Sequence, residues 1–203
     1  MRNRIDNRSA NRISVSRIVL LVLLVVVISG CDTGTDTVSD KTRATLDISG
    51  FLKEQYFTVA DTLIPVKDFD YKLLNGKKEL FSSNRGKIVL LNFWAVWCYP
   101  CQKEMPDIQK LVNEMQGEPF RMLAVNYGDD PSNVTRWIQK FSYTFDVVMD
   151  EDKSISAQLN VTGLPTTFVI DKEGRVLGKL VGPANWSKVA FLEFFKTLSR
   201  KQP

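Results

Sequence analysis

One stretch constrains this chain more than any other. Ile88-Val89-Leu90-Leu91-Asn92-Phe93-Trp94 is an almost continuous apolar run, and four residues later comes Cys98-Tyr99-Pro100-Cys101. An apolar run without alternation is the pattern of a strand buried on both faces. From Cys101 onward the period changes, and Met105, Ile108, Leu111, Val112 and Met115 fall on one helical face. Pro106 is expected to kink that helix, and Gly117 to stop it. The cysteine pair therefore stands at a strand-to-helix junction. Cys98 is placed at the helix N-terminus, where unpaired N–H groups and the macrodipole favour a thiolate. Cys101 is one turn further in, close enough to attack a mixed disulfide formed on Cys98. Pro100 suits the first turn, which has no use for its missing N–H.

The residue inventory excludes much else. The chain has no histidine, so it can build neither a Ser-His-Asp nor a Cys-His catalytic group, and no His-ligated metal site. A structural zinc site takes four ligands, and one Cys-x-x-Cys supplies two. A c-type haem site needs His after the second Cys, where this chain has Gln102. No metal and no cofactor is expected. Three cysteines cannot make a disulfide-dense scaffold. A static structural disulfide at Cys98 and Cys101 stays open as the bland alternative.

The third cysteine belongs to a different segment. Arg2, Arg4, Arg8, Arg12 and Arg17 precede the apolar run Ile18–Ile28, which ends in Ser29-Gly30-Cys31. A helix of that length covers only about half of a bilayer's hydrocarbon thickness, which suits a signal-peptide core better than a membrane span. Ile28-Ser29-Gly30-Cys31 resembles the bacterial lipoprotein box. The resemblance implies cleavage before Cys31 and lipidation of its thiol; an uncleaved short anchor is the alternative. Asp32, next in line, resembles the signal that retains lipoproteins in the inner membrane of enteric-type bacteria. Residues 1–30 are thus read as a lipoprotein signal peptide, 31–56 as a flexible tether rich in Asp, Thr and Ser, and 57–203 as the folded domain. An amphipathic piece around Phe51–Phe57 marks where folding begins. Residues 1–30 hold five Arg and one Asp, so the remainder carries 22 basic and 22 acidic residues and is formally neutral. Nothing in that balance points to nucleic acid.

The rest of the pattern alternates. Tyr71–Leu74, Asn75-Gly76 and Lys77–Phe81 read as a hairpin with a tight turn. Strands are expected at 120–126 and 145–149. Helices are expected from Asp130-Pro131-Ser132, with Val134, Trp137, Ile138 and Phe141 inward, and at 154–159. A hairpin of 166–171 with 175–180 and a terminal helix over 186–198 close the chain. This is an α/β fold with a mixed central sheet flanked by helices.

Asn92-Phe93-Trp94-Ala95-Val96-Trp97-Cys98-Tyr99-Pro100-Cys101, followed by Glu104 and Pro106, resembles the active-site signature of the TlpA/ResA-like thioredoxins. These are membrane-anchored proteins outside the cytoplasm. Gly163-Leu164-Pro165-Thr166 resembles the family's second signature, in which the proline is cis. The resemblance spans residues 60–200 and implies a thioredoxin fold with an N-terminal β-hairpin. Pro165 lies 64 residues after Cys101, which leaves room for the inserted β-α unit of this group, assigned to 131–149. It implies that Cys98 attacks a substrate disulfide, Cys101 resolves the mixed disulfide, and the backbone of Leu164 beside Pro165 binds the substrate chain. Trp97 flanks the site as a further substrate contact; core packing, or cover over the cysteine pair, is the alternative. Glu104 matches the acidic residue kept near the pair, implying a role in tuning Cys101 or relaying its proton; first-turn dipole complementarity or a solvated charge is the alternative. Asn92 stands where many thioredoxins carry a buried Asp.

The implied function is reduction of protein disulfides outside the cytoplasm, including the haem-site cysteines of apocytochrome c. Electrons would come from a membrane thiol donor of the CcdA/DsbD type. An oxidase or isomerase, and a lipoprotein binding module with a static disulfide, remain as alternatives. A peroxidase of the related peroxiredoxin branch is disfavoured, because Ala95-Val96-Trp97-Cys98 lacks that branch's Thr-x-x-Cys.

Overall fold

The computed structural model describes residues 47–59 and 61–201. The expected signal peptide, Cys31 and the tether up to residue 46 lie outside the described residues. In chain order the elements are α1 (Ile48–Glu54), β1 (Ile64–Pro65), β2 (Asp70–Leu73), β3 (Lys78–Leu80), a 3-10 turn (Phe81–Asn84), β4 (Ile88–Trp94), α2 (Tyr99–Glu114) and β5 (Phe120–Tyr127). There follow α3 (Pro131–Phe141), β6 (Asp146–Asp150), α4 (Ser154–Gln158), β7 (Thr166–Ile170), β8 (Arg175–Val181) and α5 (Val189–Arg200). The strands form one mixed sheet in the order β1-β8-β7-β4-β5-β6-β2-β3. β4 runs parallel to β5 and antiparallel to β7; β5 and β6 are parallel. This is the α/β thioredoxin-like fold, with its N-terminal hairpin and with a helix and strand at 131–150.

The apolar run behaves as its pattern demands, for every residue of β4 is buried. Because side chains alternate across a strand, β4 feeds two cores. Ile88, Leu90 and Trp94 join Ile108, Leu111, Phe191 and Phe195 on one face. Val89, Leu91 and Phe93 join Tyr71, Phe81, Ile155 and Phe168 on the other. A Leu→Ala change at such a position costs about 2–5 kcal/mol. The Asn75-Gly76 turn closes through Gly76 N–H on the Leu73 carbonyl, with Gly76 at φ +89°, a conformation glycine adopts without steric cost.

Three expectations need correction. The stretch 48–56 does not belong to the tether: α1 is capped by the Asp47 carboxylate on Gly50 N–H, and its Leu52 is fully buried in the core. Phe141 does not point inward but is 47% exposed; at the last residue of α3 it packs on Trp137 and Tyr143 at the surface. The terminal helix begins at Val189 rather than Trp186. Trp186 is buried ahead of it, its indole N–H committed to a carboxylate elsewhere.

The hairpin is fastened to the sheet by a charged cluster. Arg121 of β5 donates to Glu79 at 2.7 Å, to Asp146 at 2.8 Å and to Asn84 at 2.8 Å, while Tyr71 O–H donates to Glu79 at 2.7 Å. Hydrogen bonds from Arg121, Lys77 and Tyr71 pull the Glu79 pKa down to about 2. A depressed carboxylate stabilises the fold above its unfolded pKa and loses that contribution as pH falls. Glu79→Gln is therefore expected to flatten the stability loss between pH 4.5 and 2, read from urea midpoints across that range. An unchanged slope would remove Glu79 from the account of acid unfolding.

Candidate active site

The site grows from the C-terminal end of β4. After Trp94 the chain turns, with Cys98 N–H bonded to the Ala95 carbonyl at 3.1 Å. Both hydrogen-bonding groups of Val96 are held by side chains. Its N–H donates to Asp129 Oδ2 at 2.7 Å, and its carbonyl accepts from Gln102 Nε2 at 2.5 Å. Asp129 is in turn fixed by Asn126 Nδ2 at 2.9 Å. The loop that delivers the cysteines is thus clamped from β5 and from α2.

Cys98 is the N-cap of α2, with Tyr99 and Pro100 in the first turn as expected. Cys98 and Cys101 form a disulfide, with Cα atoms 5.3 Å apart, and both are buried. The Cys101 N–H points at Cys98 Sγ at 3.3 Å. In the dithiol form that donor and the helix N-terminus favour a negative sulfur at position 98. The expected helical face is largely observed: Met105, Ile108, Leu111 and Met115 are buried, and Val112 half-buried. Pro106 lies inside the helix, which continues to Glu114.

The Leu164–Pro165 peptide is cis. Thr166, immediately after it, pairs with Phe93, so the proline lies at the same end of the sheet as the cysteines. Leu164 packs against the core cluster that contains Cys98 and Cys101. Among the described residues the Leu164 N–H and C=O make no hydrogen bond, whereas the Pro165 carbonyl accepts from Gly182 N–H at 2.8 Å. Trp97 projects into solvent at 66% exposure beside Cys98, and Tyr99 at 65% on the other side. Trp94, by contrast, is core.

Glu104 is neither a surface charge nor a simple dipole partner. It is only 2% exposed and forms the hub of a buried polar network. Oε1 accepts from Asn92 Nδ2 at 2.8 Å; Oε2 accepts from Ala184 N–H at 3.0 Å and from Trp186 Nε1 at 2.9 Å. Asn92 Nδ2 also donates to Thr167 Oγ1 at 2.9 Å. Burial raises the Glu104 pKa to about 7, against the lowering effect of its three donors. That value lets it exchange a proton near neutrality. Glu104 and Cys101 share one helix, three residues apart, and make no direct hydrogen bond.

Several of these partners carry no sequence signal. Asp129, Gln102 and the Trp186 indole could not be connected to the site by spacing. Asn92 was conspicuous as a polar residue in an apolar strand, but its partners come from 12 and 75 residues away. The described residues include no cluster of three or more His, Cys, Asp or Glu able to hold a metal.

The comparisons with known proteins agree with this geometry. A family model described as the AhpC/TSA family matches residues 64–178. The thiol-disulfide oxidoreductase ResA of Geobacillus thermodenitrificans is 39% identical over 115 residues, covering 57% of this chain and 66% of that protein. The chain thus spans just under two thirds of that relative's length. A solved thioredoxin-family thiol:disulfide interchange protein from Chlorobium tepidum superposes with a TM-score of 0.60 at 28% identity, over 68% of this chain and 98% of that one. A secreted thiol-disulfide isomerase from Corynebacterium glutamicum superposes with a TM-score of 0.64 at 22% identity, over 71% and 92%, and shares the fold.

Proposed function

The chain belongs to the AhpC/TSA family of thioredoxin-like proteins, and from that membership we propose that it is a thiol–disulfide oxidoreductase that reduces protein disulfides outside the cytoplasm, anchored to the membrane through a lipidated Cys31. The observation that carries the reading is the Cys98–Cys101 disulfide at the start of α2, with the Cys101 N–H on Cys98 Sγ and the cis proline at the same end of the sheet.

The reaction runs from the dithiol form. The Cys98 thiolate attacks one sulfur of the substrate disulfide; that S–S bond breaks, a Cys98–substrate bond forms, and the released sulfur takes a proton. The free backbone groups of Leu164 pair with the extended substrate chain. Cys101 then loses its proton, with the Glu104 carboxylate three residues on tuning or relaying that transfer, and attacks Cys98 Sγ. The mixed disulfide breaks, the second substrate sulfur leaves and is protonated, and the pair is left as the disulfide. Two electrons and two protons pass to the substrate, and a membrane thiol donor of the CcdA/DsbD type restores them. Haem-site cysteines of apocytochrome c are the substrates to which the family resemblance points, and Asp32 favours the inner membrane. The peroxidase reading has the family model's breadth in its favour but no Thr-x-x-Cys in this sequence.

The direction is tested by equilibrating the pair against thiol buffers. A reduction potential close to the thioredoxin value of about −270 mV is expected. A value near the −120 mV typical of strong oxidants, at about the level of DsbA, would make the protein a disulfide donor instead.

A further inference from the structure

A cleft of about 430 Å³ opens between the loop that carries Cys98 and the outer face of α3. Val96 and Trp97 form one wall; Asp129, Asn133, Arg136, Trp137 and Lys140 form the rest. Its aromatic base is fixed, for the Trp137 ring packs 4.8 Å from Trp94, 4.9 Å from Phe141 and 5.2 Å from Tyr143. Trp97, two-thirds exposed, is the residue before the attacking cysteine.

The charges of the cleft are unbalanced. Arg136 and Lys140 stand one helical turn apart, and neither forms an ion pair among the described residues. Arg136 donates to the neutral Asn133 Oδ1, and the Lys140 ammonium lies 5.4 Å from the Phe141 ring centre. The one carboxylate in the lining, Asp129, already accepts from Val96 N–H and Asn126 Nδ2. Asp130, within the field of Arg136, caps α3 through Ser132. Aromatic walls with two uncommitted cations suit a side chain that has an apolar stem and a carboxylate head.

We propose that this cleft is a specificity site for the polypeptide substrate, receiving an acidic side chain close in sequence to the substrate cysteine. The inference rests on the thiol–disulfide reading above. Trp97 both precedes Cys98 and lines the cleft, so with the substrate sulfur on Cys98 the side chains that enter the cleft are those close in sequence to the substrate cysteine, an extended chain advancing about 3.3 Å per residue. Because the two cations sit at an open rim, they act on encounter and on salt dependence rather than on the chemical step.

The test uses three disulfide peptides that differ only in flanking residues: two Glu, two Ala or two Lys. The reduced protein is expected to react about tenfold faster with the Glu peptide than with the Lys peptide at low salt, with the gap closing in 1 M salt. Arg136→Glu/Lys140→Glu is expected to invert that order, and Arg136→Gln/Lys140→Gln to abolish it, both leaving the Ala peptide within about twofold of the parent rate. Equal rates for Glu and Lys peptides in the parent protein, or an unchanged order in the charge-reversed variant, would overturn the proposal. Failure to reduce even the Ala peptide would overturn the thiol–disulfide reading, and the cleft assignment with it.

Discussion

Cys98→Ser is expected to lower the rate of thiol–disulfide exchange by at least about a thousandfold, whereas Cys101→Ser keeps the first step and stops at the second. The asymmetry follows from the two environments. Cys98 caps α2 and receives the Cys101 N–H, so its sulfur gains most from carrying negative charge. Cys101 is fully buried, so it acts on the bond made at its neighbour rather than on an incoming chain. The Cys101→Ser protein should therefore accumulate a covalent adduct with a disulfide substrate, visible as a mass increase that dithiothreitol reverses. Full insulin-disulfide reduction by Cys98→Ser would reduce the pair to a static brace in a binding module. An adduct on Cys101 rather than on Cys98 would reverse the assigned order of attack.

The second large effect is a pH dependence of stability that runs opposite to the usual one for carboxylates. The Glu104 pKa is raised to about 7 in the folded protein, so the fold binds this proton more tightly than the unfolded chain does. Its contribution is complete below pH 4.5 and is lost as pH rises through 7. A shift of that size corresponds to a loss on the order of 3 kcal/mol. Glu104→Gln should flatten this part of the profile, measured on the oxidised protein so that no thiol titrates. The amide is accommodated because Asn92 Oδ1 has no partner, and a half-turn of the Asn92 side chain offers it to the new N–H. Glu104→Ala strips the acceptor from the buried Trp186 indole and the Ala184 N–H and leaves Asn92 Nδ2 only Thr167, and should cost about 3 kcal/mol or more at any pH. Parallel profiles for the parent and Glu104→Gln would place the titrating group elsewhere. The Glu79 window, pH 4.5 to 2, does not overlap with this one.

The parts of this site that could be read in advance are those whose physics is local. A buried strand, a helix start and a cysteine pair one turn apart occupy contiguous residues, and each declares itself through periodicity or spacing. Pro165 and Thr166 were recognisable for the same reason, as a short contiguous signature. Glu104 was visible as a residue but not as an environment, since its burial depends on Ala184 and Trp186, brought in from 80 and 82 residues away. Trp186 reads as the first residue of the last helix because it is a large apolar residue just ahead of Phe191, Phe194 and Phe195; the helix starts at Val189, and the indole N–H is bonded to Glu104 instead. The Asp129 clamp on Val96 is invisible in the sequence because an Asp after a strand reads as an ordinary turn residue. α1 reads in part as tether because its polar, glycine-containing surroundings hide one decisive residue, Leu52. Burial of that side chain is a property of the assembled core, not of its neighbours in the chain.

The donors that hold Glu104 also describe how the molecule fails. Two of its three hydrogen bonds come from residues 184 and 186, on the segment that leads into the last helix. A protease that clipped the chain ahead of Ala184 would do more than shed a terminal helix. It would strip the donors from an acid one turn beyond Cys101 and open that acid to water. Damage at the far end of the polypeptide would thus be registered beside the disulfide.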